Sequence, residues 1–514
     1  MQIFAVAIPK NFFETPSKKS YIDENLEQKI IDDIKIICQK LELPLKIFTE
    51  KDILSKNSTP TEEEKKSSLL KILHQWINET HPLDKNSSVD DRAIAIIPII
   101  SEFYNLEQNK RLLKNFIEYQ PDIGFADNFP SGMLFTFVRA DVLLPLENLR
   151  EKEKLGQDFN FVEKIIEKDI NAFDLENLYA PIGLQTFRLD FQNNDQHNHL
   201  LAKSIKEKMQ KENSTALYDW KFEDFAKLIL QNRSLLKSVP KYYQWHLSSL
   251  EAQKRLLSPY ELIENQEKKK QPISFDDFKI ILGKITATTD EPVICFSASI
   301  TEPTLNSDWK KIIKHCLDQN ICVLLETSGA TLTKEDIDQL SNWSKDLFTI
   351  IFLLETINQK TYETFRSGNP PLKQILNIVE DCLLKKPEKT FVEITKTNEN
   401  IDELFDFHAY FKKFTKNIIV NKYNTYRGQL PERRARVMEP LNRIDCWHLK
   451  RDLVIDWSGD VWMCKQDIKK QNLLGNLLKD KMENILQKND MMFKSHLNNF
   501  DFCKNCDEYY TFNF

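Results

Sequence analysis

The sequence predicts an α/β protein in three parts: an N-terminal α/β domain over residues 1–215, a partial (β/α) barrel over 216–440 and a small cysteine module over 441–514. Three observations carry this reading. Short β-type runs alternate with helical patterns through the N-terminal region, as they do in α/β domains. Six further strand candidates then follow, most of them separated by helical segments, which is the pattern of parallel strands joined by crossovers. The final stretch changes character, with short strands, turns and closely spaced cysteines replacing the long alternation.

Composition bounds the answer. With 514 residues, 41% hydrophobic and 11% aromatic, the chain has material for several buried cores. A net charge of −6 supplies no general field for nucleic acid or an anionic membrane, and neither partner is expected. The start, "MQIFAVAIPKNFF", lacks the basic and sustained apolar stretches of a signal peptide. The longest apolar runs, "AIAIIPII" and "FTIIFLL", are too short to span a bilayer and read as buried strands. A cytoplasmic protein is therefore expected, in which cysteines stay reduced and a cysteine cluster points to metal or redox chemistry. Glycine is scarce, 10 in all, and neither G-x-G-x-x-G nor G-x-x-x-x-G-K-[ST] occurs, which removes the simple dinucleotide and P-loop readings.

The N-terminal part opens with the strand "IFAVAIP", continues through an amphipathic helix over Glu24–Leu41, and adds the strands "LPLKIF" and "RAIAIIPII". A helix over Leu106–Tyr119 leads to a small-residue loop, "GFADNFPSGM", at Gly124–Met133. This order resembles sugar-nucleotide cytidylyltransferases and related nucleotidyltransferases. The resemblance implies a glycine-rich loop after the first strand and an Asp that holds Mg²⁺. Here "AIPKNFFETP" has no glycine and "IIPIISEF" has Ile in the metal position, so any such catalysis is expected to be lost. Asp90–Asp91 precedes its strand at the wrong end for a site at strand C-termini.

Helices around Asp195–Glu212 and Lys221–Leu236 lead to the six strands "YYQWH", "EPVICFSAS", "ICVLLETSG", "DLFTIIFLLE", "KTFVEITK" and "KNIIVNKY". Ligands of such barrels bind at the C-terminal strand ends.

Nine cysteines divide into two groups. Cys38, Cys295, Cys316, Cys322 and Cys382 sit singly in helix or strand patterns and read as small buried hydrophobes. Cys446, Cys464, Cys503 and Cys506 share the last module. In "CWHLKRDLVIDWSGDVWMC" a strand, a turn at Asp456–Asp460 and a returning strand fold Cys464 back beside Cys446, with Gly459 supplying a positive φ. "DFCKNCDEYY" adds a Cys-x-x-Cys knuckle. Four thiolates suit a tetrahedral Zn²⁺ or an iron–sulfur cluster, and spacing alone does not choose. His448 and His496 lie nearby in sequence and could replace a cysteine ligand; a surface or packing role is expected for both.

The spacing Cys446, twelve residues, Gly459, four residues, Cys464 resembles the opening of a SPASM domain, the auxiliary-cluster module found C-terminal to radical SAM enzymes. "CKQD", "LLGN" and the late Cys-x-x-Cys-Asp are similar to it too, and the combination ending "CDEYYTFNF" resembles the spirochaete-type SPASM (spiro-SPASM) family. The resemblance implies that Cys446, Cys464, Cys503 and Cys506 ligate one [4Fe–4S] cluster of the auxiliary type. The further cysteines of the longer SPASM pattern do not occur before Phe514, so no second auxiliary cluster is expected.

The middle region resembles a radical SAM core. "SASITEPTLNSDW" is similar to the segment where that family has Gly-Gly-Glu-Pro, "LLETSGATLTKED" to its Thr-Asn-Gly strand end, and "IIFLLETINQKTYETFRSG" to its "YEKIRPG" segment. The family holds its catalytic cluster with Cys-x3-Cys-x2-Cys in the loop after the first strand. Here no cysteine occurs between Cys38 and Cys295, and "HLSSLEAQKRLLSPY" aligns Glu251, Arg255 and Ser258 with those positions. Arg is a donor only and opposes a metal. The expectation is a degenerate core that neither holds nor cleaves S-adenosylmethionine, with no catalytic residue assigned.

The favoured reading is thus a SPASM iron–sulfur protein with a structural, electron-transfer or peptide- or protein-binding role. Two others stand beside it: a diverged radical SAM/SPASM enzyme modifying a peptide or metabolite, and a zinc-stabilised interaction protein. Whether the chain is an enzyme stays open at this stage.

Overall fold

The computed structural model describes residues 1–9, 12–13, 21–48, 68–83, 90–158, 160–436, 439–440 and 443–511. It divides into two compact units, Met1–Leu236 and Lys237–Phe514. Of the segment "AIPKNFFETP", residues 10, 11 and 14–16 fall outside the described residues, while Ala7–Pro9 end β1.

The first unit is built on a six-stranded sheet. Its strands are β1 (Gln2–Pro9), β2 (Leu45–Ile47), β3 (Arg92–Ile99), β4 (Ile123–Asp127), β5 (Thr136–Arg139) and β6 (Leu175–Tyr179), in the order β2-β1-β3-β5-β4-β6. β1 pairs in parallel with β2 and β3, while β5 runs antiparallel between β3 and β4. The continuous apolar runs of β1 and β3 are what a strand covered on both faces requires, and Ala5–Ile8 are fully buried. The helix Glu24–Lys40 starts where the Asp23 carboxylate accepts from Leu26 N at 2.8 Å, and it buries Ile30, Ile34, Ile37 and Cys38 at helical spacing.

The segment read as a loop from Gly124 differs: β4 carries on to Asp127, pairing with β5 on one side and β6 on the other. Gly124 is needed because a Cβ there would lie 2.7 Å from the Phe116 ring. Asp90 makes a bidentate pair with Arg92, at 2.8 and 2.7 Å, and anchors the start of β3.

The second unit holds β7 (Tyr242–Trp245), β8 (Lys254–Arg255), β9 (Val293–Phe296), β10 (Cys322–Thr327), β11 (Phe348–Leu354), β12 (Arg366–Ser367), β13 (Thr390–Lys396), β14 (Ile418–Lys422), β15 (Asp452–Ile455), β16 (Asp460–Trp462) and β17 (Leu473–Asn476). Nine of them form one sheet in the order β14-β13-β11-β10-β9-β7-β15-β16-β17. Six parallel strands, β7, β9, β10, β11, β13 and β14, lie side by side in chain order. They are the six that the sequence indicates, wound one way into a partial barrel.

The cysteine module is not free-standing, where a third domain from residue 441 was expected. β15 adds in parallel to the outer edge of β7, and β16 and β17 extend the sheet in antiparallel fashion. An incomplete barrel leaves the edge of β7 open, and the buried run "DLVI" covers it. One apolar core therefore joins Trp245 and Ile281 of the barrel to Met463, Leu477 and Phe493 of the module. The β15–β16 turn is closed by Asp456, whose Oδ1 accepts from Ser458 N at 2.8 Å and Asp460 N at 3.1 Å, with Gly459 at φ +82°. The chain does not pass from Cys446 straight into a strand, as read from sequence: a helical turn, Trp447–Arg451, comes first. No helix among the described residues is long and apolar enough to cross a membrane.

Candidate metal centre

The structure brings all four late cysteines to one small cavity, although they come from different elements. Cys446 caps the Trp447–Arg451 turn, Cys464 follows β16, Cys503 lies in the helix Asp501–Lys504 and Cys506 just beyond it. All four line the same cavity, together with Arg443, His448, Gln466, His496 and Tyr509. No three of their sulfurs lie within 4.8 Å of one another; among the described residues the one acidic, His or Cys group that tight is Glu267, Asp456 and Asp460. That group is neutralised from within: Lys470 pairs with all three carboxylates, at 2.5 Å to Asp456, and Lys270 pairs with Glu267 and Asp460.

Backbone amides lie near the sulfurs and favour their ionised form: those of Leu449 and His448 near Cys446, whose side chain makes no capping hydrogen bond, and that of Gln466 near Cys464. Glu508 N donates to Cys506 Sγ at 3.4 Å. Hydrogen bonds of this kind stabilise thiolate. Burial opposes them and wins, pushing Cys503 and Cys506 up to about 12 and Cys446 and Cys464 upward as well. After burial, the strongest influences on Cys464 are Cys506 and Cys446, each disfavouring a second negative charge. Four thiols so placed ionise together only if a cation joins them.

Positive groups and an open polar side chain surround the sulfurs. Arg443 donates to the carbonyls of Cys503 at 2.5 Å and Cys506 at 3.1 Å and lies 4.3 Å over the Tyr509 ring. Arg427 stacks on Phe502 at 3.5 Å. The Gln466 amide is 2% exposed, and among the described residues neither its oxygen nor its nitrogen has a hydrogen-bond partner. An orphaned amide costs free energy unless something at the cavity satisfies it. The histidines are engaged elsewhere. His448 binds Asp452 through Nδ1 at 2.7 Å and Thr511 through Nε2 at 2.9 Å, while His496 Nε2 accepts from Cys446 N at 3.0 Å. Of the remaining cysteines, Cys38, Cys295, Cys316 and Cys382 are buried and Cys322 half-buried, all apart from this cavity.

The loop aligned with the missing upstream motif is packed and hydrogen-bonded. Arg255 pairs with Glu251 at 3.2 Å and donates to Ile300 O at 3.1 Å, and Ser258 Oγ donates to the same carbonyl at 3.3 Å. β8 pairs with β12, setting Arg255 opposite Arg366, which is itself held by Glu355 at 2.6 Å. Glu302, of "SITEP", is 2% exposed, and its two oxygens accept from Thr304, Thr327, Ser328 N and Ser328 Oγ at 2.6–2.9 Å. Its acceptor capacity is largely filled by the protein itself.

A larger cavity, about 400 Å³, opens over the C-terminal halves of the parallel strands, the place barrel ligands occupy. Lys465 and Glu508 line both it and the thiol cavity. Neither residue stands out in the sequence. The available signal is that each lies within two positions of a clustered cysteine. In the first unit a cavity of about 330 Å³ is lined by the Asp127–Gly132 stretch and Glu163.

Residues 446–507 match the SPASM family model, described as an iron-sulfur cluster-binding domain. An uncharacterized protein of Treponema pallidum (strain Nichols) is 27% identical over 371 residues, which cover 69% of this chain and 99% of that protein. Among solved structures, Streptococcus suis SuiB bound to its precursor peptide SuiA is 14% identical, with a TM-score of 0.41, over 63% of this chain and 86% of SuiB. BtrN in complex with AdoMet and 2-DOIA is 14% identical, with a TM-score of 0.36, over 53% of this chain and 94% of BtrN. A tagged anSMEcpe with bound AdoMet is 13% identical, with a TM-score of 0.40, over 52% and 85%. This chain carries a SPASM domain, an iron–sulfur cluster-binding module, over residues 446–507.

Proposed function

We propose that Cys446, Cys464, Cys503 and Cys506 hold one [4Fe–4S] cluster, and that the barrel beside it does not cleave S-adenosylmethionine. The observation that carries the first part is that the four thiols line one cavity and all fall within residues 446–507, the stretch that matches an iron-sulfur cluster-binding family model. The Glu508 amide donated to Cys506 Sγ and the unsatisfied Gln466 side chain suit the thiolates and inorganic sulfides of a cluster.

With four protein thiolates a cluster has no open iron, so its chemistry is electron transfer or structural stapling, not substrate activation. The second part rests on Arg255, whose guanidinium takes the place of a ligand and is bound to Glu251 and to Ile300 O. The partner class assigned to the barrel is a peptide or protein.

Iron, sulfide and zinc content after anaerobic reconstitution tests the cluster, with absorption and EPR spectra. About four irons and four sulfides per chain support it; one zinc without sulfide refutes it. Formation of 5′-deoxyadenosine from S-adenosylmethionine under a strong reductant, with iron near eight per chain, would refute the second part.

A further inference from the structure

The barrel cavity has the size of a small-molecule site, about 400 Å³. Most of the charges that line it are already committed. Arg255 is paired with Glu251, Glu355 with Arg366, and both Lys422 and Lys465 with Glu508, at 2.5 and 2.7 Å. Two carboxylates remain. Glu326 on β10 accepts from Ser297 Oγ at 2.5 Å and Ala298 N at 3.2 Å, and Glu393 on β13 lines the cavity beside Asn421. Among the described residues neither makes an ion pair with a cation.

A separate observation concerns Tyr426. Its side chain is 6% exposed and lines the same cavity, and among the described residues its hydroxyl has no hydrogen-bond partner. Tyr242 and Tyr423 line the cavity as well and can offer aromatic faces. Two anionic acceptors, an unpartnered phenol and aromatic walls describe a receptor for an organic cation. A divalent metal is a poor fit, since among the described residues no close group of three ligand atoms includes either carboxylate. An anion would meet both of them.

We infer that this cavity binds a molecule through a primary alkylammonium group, seated between Glu326 and Glu393 with Tyr426 as a further acceptor. An ammonium carries three donors and no acceptor, which matches an acceptor-rich lining. The same chemistry is found on a free diamine and on a lysine side chain. Burial raises both carboxyls above the usual range, and the neighbouring Glu326 charge helps to bring Glu393 to about 7. A bound cation offsets both effects.

The inference rests on the reading that the barrel holds no catalytic cluster. Its test therefore measures binding, with iron content determined on the same samples so that the two readings fail separately. Titration calorimetry of the full chain at pH 8 would use cadaverine and, separately, the peptide Ala-Lys-Ala, with 1-pentanol and glutarate as controls. The expected result is saturable binding of at least one amine and of neither control, weakened about tenfold or more by Glu326→Gln and by Glu393→Gln. Cadaverine alone binding identifies a free amine as the ligand; the peptide alone identifies a lysyl side chain. Tyr426→Phe, which keeps both carboxylates, should weaken binding severalfold and decides the matter if the Gln variants misfold. Absence of amine binding, or affinity unchanged in all three variants, overturns the inference. So does binding of S-adenosylmethionine that displaces the amine and is unaffected by the Gln substitutions.

Discussion

Lys465 and Glu508 form an ion pair at 2.7 Å in the wall shared by the thiol cavity and the barrel cavity. Lys465 follows Cys464 directly and Glu508 stands two residues after Cys506, so the pair ties together the two arms that carry these cysteines. Burial works against the Glu508 carboxyl, yet Lys465 and Lys422 hold it at about 2. The cavity that collects the cysteines and the cavity that faces the parallel strands thus share a wall in which a buried carboxylate meets a half-buried lysine.

Replacing Lys465 by Met should lower stability by about 3 kcal/mol, because the remaining buried carboxylate loses a partner. The double variant Lys465→Met with Glu508→Gln should regain part of that loss, since the buried carboxylate is then neutral while Lys422 keeps Asp507 at 3.2 Å. Urea or thermal melts of the four proteins give the coupling directly. A double variant no better than the single one would show that the pair is not the tie.

Each of Cys446→Ser, Cys464→Ser, Cys503→Ser and Cys506→Ser should lower bound iron and sulfide and reduce charge-transfer absorption. Cys322→Ser should leave both unchanged, since Cys322 lies outside the cavity. Removing the metal with a chelator should destabilise the module and the barrel together, because one apolar core and one sheet join them. A chelator melt confined to residues beyond 441, seen by hydrogen exchange, would contradict that.

Arg255→Ala should destabilise the barrel by roughly 2–4 kcal/mol, leaving Glu251 unpaired and Ile300 O short of a donor. Iron content should not change. A loss of iron in this variant would mean that the loop touches a cluster after all.

Glu393 gives a pH signature. Its carboxyl is raised to about 7 by burial and by the Glu326 charge, from an ordinary value of 4.5. The unfolded chain releases this proton first, so the group's contribution to stability falls as pH rises from about 4.5 to about 7 and is constant above that. Glu393→Gln should therefore raise the melting temperature at pH 8, by roughly 1–3 kcal/mol of stability. The gain should vanish near pH 4. A gain that does not depend on pH would point to packing instead of charge.

Much of this was legible in the chain. The six parallel strands show as buried runs of β-branched and aromatic residues separated by helical patterns, because period and burial are local properties. The four cysteines showed through their spacing with Gly459, whose φ of +82° the hairpin requires. The absence of any cysteine between Cys38 and Cys295 is likewise read directly from the chain. The tertiary structure decided the rest. That β15 closes on β7 is a pairing between residues some 200 positions apart, and no local pattern specifies it. The filling of Glu302 by Ser328 and Thr327 arises only when β10 lies beside β9. Lys465, Glu326 and Glu393 look like ordinary charges in sequence. Their meaning comes from which partners the fold brings within reach and which it leaves without any, since burial makes an unpaired charge costly and a paired one stable.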